Sequence, residues 1–143
     1  MLDDPVRKIM RKRKLLTAQP QTAVAKAAQR MAARNVGAVL VVEDGRLVGI
    51  FTERDVVFRV VAAGLDARTT RLEEVATRDP VTIGPDQSFG HALVLMRRNG
   101  FRHLPVLEDG KPVGIVSARS ALDPELEEFA SETRRRKHFE RAR

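Results

Sequence analysis

Residues 48–55, Val48-Gly49-Ile50-Phe51-Thr52-Glu53-Arg54-Asp55, decide how the rest of this chain is read. An apolar run meets a hydroxyl residue followed three places later by a carboxylate, the pattern in which a buried strand hands over to the first turn of a helix. Such a junction can do chemistry. The free amides of a helix start attract anions, a Thr hydroxyl can join them, and a carboxylate one turn in can accept both hydroxyls of a sugar diol. The blander reading of the same residues is a capping box, with Thr52 as N-cap and an acid at the third helical position. The junction recurs at Val113-Gly114-Ile115-Val116-Ser117-Ala118-Arg119-Ser120, with the hydroxyl kept and the acid replaced by Ser.

A shift of 65 residues lays the chain on itself without gaps: Thr17 on Thr82, Pro20 on Pro85, Ala27 on Ala92, Met31 on Met96, Asp44-Gly45 on Asp109-Gly110, and Gly49-Ile50 on Gly114-Ile115. Self-similarity of this kind means one supersecondary unit used twice, and two copies suggest a pseudo-symmetric pair rather than a solenoid. Each copy opens with a short strand, Leu15-Leu16-Thr17 or Val81-Thr82-Ile83, that ends at a Pro-containing turn. A helix follows, because Val24, Ala27, Ala28 and Met31, and then Phe89, Ala92, Leu93 and Met96, keep the spacing of a single buried stripe. Two apolar runs joined through Asp-Gly come next in each copy, and Asp-Gly between β-branched runs is a hairpin signal because its two-residue turn needs positive φ.

The spacing predicts a last helix from Glu53 to Ala63, stopped at Gly64. Its Val56, Val57, Val60, Val61, Ala62 and Ala63 are too much apolar surface for one stripe, so a sister repeat and a second subunit are expected to cover different faces, which points to a homodimer. Asp66 to Arg71 reads as a short polar linker, and residues 123–143 as a charged tail of helical character.

A chain of 143 residues can bury roughly two-thirds of its unfolded surface, so it folds without staples. It has no Cys, which removes disulfides and thiolate chemistry and suits a reducing cytoplasm. No apolar run approaches membrane-spanning length and the N-terminus lacks the apolar core of a signal peptide, so a cytoplasmic location is expected. The net charge of +7 sits at the ends: residues 1–14 and 132–143 are each +4, and the body between them is −1. Weak binding to any polyanion is expected of such ends, but with no Trp or Tyr there is no obvious platform for stacking bases.

With Asn35-Val36-Gly37-Ala38, Asp44-Gly45-Arg46-Leu47-Val48-Gly49-Ile50-Phe51-Thr52-Glu53-Arg54-Asp55 and Gly100-Phe101-Arg102-His103-Leu104-Pro105-Val106, the tandem β-α-β-β-α unit resembles the cystathionine-β-synthase (CBS) domain pair over roughly residues 6–122. The resemblance implies an α+β fold in pseudo-two-fold arrangement, with a first repeat over 6–65 and a second over 72–122. It also implies a regulatory module, not an enzyme, that binds an adenosine-containing ligand in a cleft between the repeats. AMP is the first expectation, with ATP, ADP, NAD or S-adenosylmethionine as alternatives, and the regulated protein partner is not encoded.

By that resemblance Thr52 holds phosphate and Asp55 the ribose, Arg102 and His103 reach the phosphate from the opposite repeat, and Thr77, Pro80 and Val81 lie against the adenine. Arg offers a planar fork to phosphate oxygens, and His adds a donor from either ring nitrogen. The pseudo-symmetric cleft would pair Ser117 and Ser120 with Gly37 and Ala38, lacking both the ribose acid and the cations, and is expected to be the degenerate one. A reading from another class is a nucleic-acid-associated dimer acting through the basic ends. An enzyme is poorly supported, since no nucleophile and base, and no paired acids, are spaced suggestively. Three His without a spacing pattern make no metal site.

Overall fold

The computed structural model describes residues 1–10, 15–121 and 132–136. The first repeat consists of β1 (Thr17–Ala18), α2 (Val24–Arg34), β2 (Ala38–Glu43), β3 (Arg46–Thr52) and α3 (Glu53–Asp55), and α1 (Val6–Ile9) precedes it. The second has α5 (Phe89–Asn99), β5 (His103–Glu108), β6 (Lys111–Ser117) and a 3-10 turn over Ala118–Ala121, preceded by α4 (Leu72–Val75) and β4 (Thr77–Arg78). One sheet runs β1-β2-β3-β4 and the other β5-β6.

Both hairpins form as the Asp-Gly pairs dictate, Asp44 and Asp109 at φ 52° and Gly45 and Gly110 at φ 77°. Both carry an irregularity at the same place, after Val41 and after Val106, so the repeat extends to backbone detail. On the helices Val24, Ala27 and Met31 are buried, as are Phe89, Ala92 and Met96, each stripe facing its own sheet.

The expected opening strands differ between copies. Thr17–Ala18 pairs parallel to Leu40–Val41, whereas the second copy makes only an isolated parallel bridge, Ile83 to Val106. A strand forms instead at Thr77–Arg78, antiparallel to Ile50 and Gly49 of the first repeat. The helix expected from Glu53 to Ala63 is also different: one α-turn is followed by a π-helix over Val56–Val61, with Ala62 N–H donating to Val57 O at 2.8 Å. Four valines in six residues crowd the preceding turn of an α-helix, and a wider turn relieves them. Gly64 ends it at φ 72°.

The two cores are exchanged between the leading segments. Leu72 and Val75, which precede the second repeat in the chain, are buried in the core of the first with Val39, Phe51 and Val60. Val6 and Met10, which precede the first, are buried in the core of the second with Phe89, Leu104 and Val116. Backbone bonds follow the same exchange. The first N–H groups of α2, at Val24 and Ala25, donate to Thr70 O and Ala67 O, and those of α5, at Phe89 and Gly90, donate to Asp4 O and Leu2 O. Helix starts that would otherwise be orphaned are thus satisfied by the lead of the other repeat. The polar linker is therefore structural, with Thr70 buried. Of the basic N-terminal residues, Arg7 is committed to Glu108 at 3.2 Å and Asp86 at 3.4 Å.

The glycines of the repeated Val-Gly-Ile have a common cause. A Cβ on Gly49 would lie 3.0 Å from Thr77 O, and one on Gly114 would lie 2.7 Å from Met10 Sδ. At Gly49 the crossing atom is backbone and cannot yield, whereas at Gly114 it belongs to the flexible Met10 side chain; in both places the neighbour comes from the lead of the other repeat. A third cluster of Ala38, Leu40 and Ile50, with Ile115, Leu15, Val42 and Leu47 against it, joins the repeats where β3 meets β6. Of the charged tail, residues 132–136 are helical, and the rest of 123–143 lies outside the described residues. Among the described residues no helix is long and apolar enough to cross a membrane.

Candidate functional site

The starts of β2 and β5 are equivalent under the 65-residue shift, so Gly37-Ala38 and Arg102-His103 are counterparts. They meet between the repeats. His103 Nε2 and Glu53 Oε1 lie 3.2 Å and 3.1 Å from where a Gly37 Cβ would stand, so the absent side chain of one repeat is the room that the imidazole of the other occupies. Around this point opens a cavity of about 1060 Å³, walled by Gly37, Ala38 and Glu53 from the first repeat and Arg102, His103, Ser117, Arg119 and Ser120 from the second. Ala28 and Met31 of α2 line its apolar side.

Burial disfavours the charged imidazole and holds His103 below its usual value; Glu53 pulls the other way and Arg102 adds to the lowering. Arg102, Arg119 and Glu53 are exposed at the rim, so the cavity presents two guanidinium groups and one carboxylate to whatever enters.

The grouping of these residues differs from the expectation. Arg102 and His103 share the cavity with Ser117, Ser120, Gly37 and Ala38, and that cleft has cationic contacts after all. Thr52 and Asp55 are not among its walls. These two residues engage each other: Asp55 Oδ2 accepts from Thr52 N at 2.9 Å and from Thr52 Oγ1 at 3.1 Å, Asp55 N donates to Thr52 Oγ1 at 3.3 Å, and Arg59 Nε lies 3.5 Å from Asp55 Oδ1. The capping box therefore forms in full. Ser117 and Ser120 reproduce it, with Ser117 N donating to Ser120 Oγ at 3.0 Å and Ser120 N to Ser117 Oγ at 3.2 Å.

Of the three residues expected against adenine, Thr77 pairs with Ile50, two residues before Thr52, which puts it on the flank of that exit and not in the cavity. Pro80 is half-buried, and Val81 packs on the second core. The two exit arginines part company: Arg54 stacks on the Phe58 ring at 4.5 Å, while Arg119 faces the cavity. Glu53 is the residue that sequence reasoning passed over. Its only signal was asymmetry, Ala118 standing at its place in the second repeat. His91 is exposed, and its backbone N–H donates to Ser88 Oγ at 3.1 Å. Among the described residues no group of three or more His, Cys, Asp or Glu could hold a metal ion.

Two exchanged β-α-β-β-α repeats enclosing a cavity define a tandem-repeat module, and comparison identifies the class: the chain belongs to the CBS domain family, whose model matches residues 6–62 and 72–124. It is 37% identical over 150 residues to the meiotically up-regulated gene 70 protein of Schizosaccharomyces pombe, covering 90% of this chain and 20% of that one. The chain likewise spans about a fifth of the Arabidopsis thaliana CBS domain-containing proteins that it matches. Among solved structures, an uncharacterized conserved protein from Pyrococcus horikoshii superposes with a TM-score of 0.81 at 32% identity, over 87% of this chain and 94% of that one. The CBS domain pair of protein MJ0100, solved in complex with 5′-methylthioadenosine and S-adenosyl-L-methionine, gives 0.77 at 25% identity, over 87% and 97%. The molecule is a CBS pair.

Proposed function

We propose that this CBS pair is a regulatory module that takes an adenosine-containing ligand in the cavity between its repeats. The observation that carries the reading is the convergence of Arg102 and His103 from one repeat on the small Gly37 and Ala38 of the other, over a space of nucleotide size. Arg102 and His103 meet the ligand's 5′ substituent, a phosphate in AMP, and the Ser117 and Ser120 hydroxyls meet the sugar. The exit at Thr52 and Asp55, with Thr77, Pro80 and Val81 beside it, is a second position, reached when Asp55 exchanges Thr52 and Arg59 for ribose hydroxyls. The adenosine ligands held by the MJ0100 pair support the class of ligand.

A ligand touching both repeats favours one arrangement of the pair, and the signal passes to a protein partner by population shift, without catalysis. A second copy of the chain covers the apolar face of Val57, Phe58, Val61 and Leu65, which are 44–68% exposed. Sedimentation of the wild type and of Val61→Asp checks this, with dimer and monomer expected; a monomeric wild type refutes it.

Calorimetric titration with AMP, ATP, S-adenosylmethionine and methylthioadenosine tests the ligand. Wild type binds at least one, and Arg102→Ala weakens a ligand carrying a 5′ anion about tenfold, or ~1.4 kcal/mol. Absence of binding by all four, or an Arg102→Ala variant with unaltered affinity, sinks the assignment. If Asp55→Ala is the variant that weakens binding, the ligand sits at the second position.

A further inference from the structure

We infer that Glu53 sets the charge class of the ligand, turning the cavity away from nucleoside polyphosphates and toward adenosine ligands whose 5′ substituent is neutral or carries a positive group. The inference rests on the cavity being the adenosine site. Glu53 belongs to none of the contact sets expected from the sequence, yet it lines the same cavity.

Glu53 opens α3, and its N–H donates to Gly37 O at 2.9 Å, which fixes the residue beside the floor of the cavity. Its carboxylate turns back over that floor, with Oε1 3.1 Å from the Cβ position that Gly37 leaves open and His103 Nε2 3.2 Å from the same point. A side chain at Gly37 would displace both groups. The charged and titratable side chains that line the cavity are Glu53 from α3, Arg102 and His103 from the start of β5, and Arg119 from the 3-10 turn. The half-buried imidazole is the weakest of the cations, since burial favours its neutral form. Two guanidinium groups are therefore set against one carboxylate.

A triphosphate brings about four negative charges at neutral pH, of which the two guanidinium groups answer two, and the remainder meet the Glu53 carboxylate with like charge. A ligand with a sulfonium or ammonium group beside Glu53 and a carboxylate beside Arg102 and Arg119 satisfies both signs. A neutral thioether does not meet the repulsion. The second repeat supplies no such acid, because Ala118 holds the corresponding place. Discrimination by charge is therefore a property of one half of the pair.

The test is calorimetric titration of wild type, Glu53→Gln and Glu53→Asp with ATP and S-adenosylmethionine, with AMP and methylthioadenosine as intermediate cases. Glu53→Gln keeps the size of the side chain, and its thermal midpoint confirms folding. Wild type is expected to prefer S-adenosylmethionine and methylthioadenosine to ATP. Glu53→Gln is expected to shift the ratio of the two affinities toward ATP by about tenfold or more, with Glu53→Asp close to wild type. Binding with an unchanged ratio in Glu53→Gln, or a wild type that already prefers ATP, overturns the role of Glu53 and leaves the adenosine site standing. A wild type that binds none of the four removes the site itself.

Discussion

Leu72→Ala tests whether each core is closed by the lead of the other repeat. Leu72 lies in the chain just before the second repeat, yet its side chain is fully buried among Val39, Phe51 and Val60 of the first. Truncation removes three heavy atoms from a site that the surrounding strands hold open. The expected cost is the usual ~2–5 kcal/mol for a buried Leu→Ala, and ~3 kcal/mol is a fair central figure. At ~2.1 cal/mol/K per residue the unfolding entropy of this chain is ~0.3 kcal/mol/K, so the thermal midpoint falls by about 10 °C. Calorimetry gives the shift, and amide hydrogen exchange gives its address. Protection at Leu40 and Phe51, in the first repeat, should fall at least as far as protection at Leu104 and Val116, in the second. Val6→Ala should do the reverse, because Val6 is buried with Leu104 and Val116. If Leu72→Ala lowered protection in the second repeat and spared the first, the exchanged packing would be wrong.

Gly49→Ala places a methyl 3.0 Å from the Thr77 carbonyl oxygen, a backbone atom that cannot turn aside, and should cost ~1–3 kcal/mol in a denaturant titration. Asp55→Ala removes the acceptor for Thr52 N–H and an ion pair with Arg59, so it should destabilise by ~0.5–2 kcal/mol even with no ligand present; an unchanged midpoint would mean the capping box contributes nothing. Burial lowers the His103 pKa below its ordinary 6.5, so between the two values the unfolded chain carries the proton that the folded chain refuses. Stability should therefore fall as pH is lowered through that window, and His103→Asn should lose this part of the slope while matching wild type's pH dependence above pH 7. A variant with the same slope would exclude His103 as its source.

The repeat, the hairpins and the helical stripes are legible in the amino-acid order alone, because each depends on spacing within about twenty residues. Asp-Gly demands positive φ wherever it stands, and Val24, Ala27 and Met31 share a helix face by geometry alone. The π-helix is harder to see: its cause, a run of valines, is in the sequence, but the balance between a crowded α-turn and a wider one is small. The site divides in the same way. Both exit motifs form the hydrogen bonds that their residue types allow, Thr52 with Asp55 and Ser117 with Ser120. Which exit shares a space with Arg102 and His103 is not legible there, since that depends on how two separate hairpins meet.

By itself the sequence determined that one unit is used twice, where its strands turn, which helix faces are apolar, and that one exit has an acid and the other does not. Only the tertiary structure decided that α4 completes the first core and α1 the second, that Gly49 and Gly114 are small because another segment crosses them, and that Glu53 faces His103 across Gly37. The physical reason is range. Turn conformation and helix amphipathicity are properties of neighbouring residues, whereas a shared core or cavity depends on the distance between groups brought together from remote parts of the chain, and no local pattern encodes that distance.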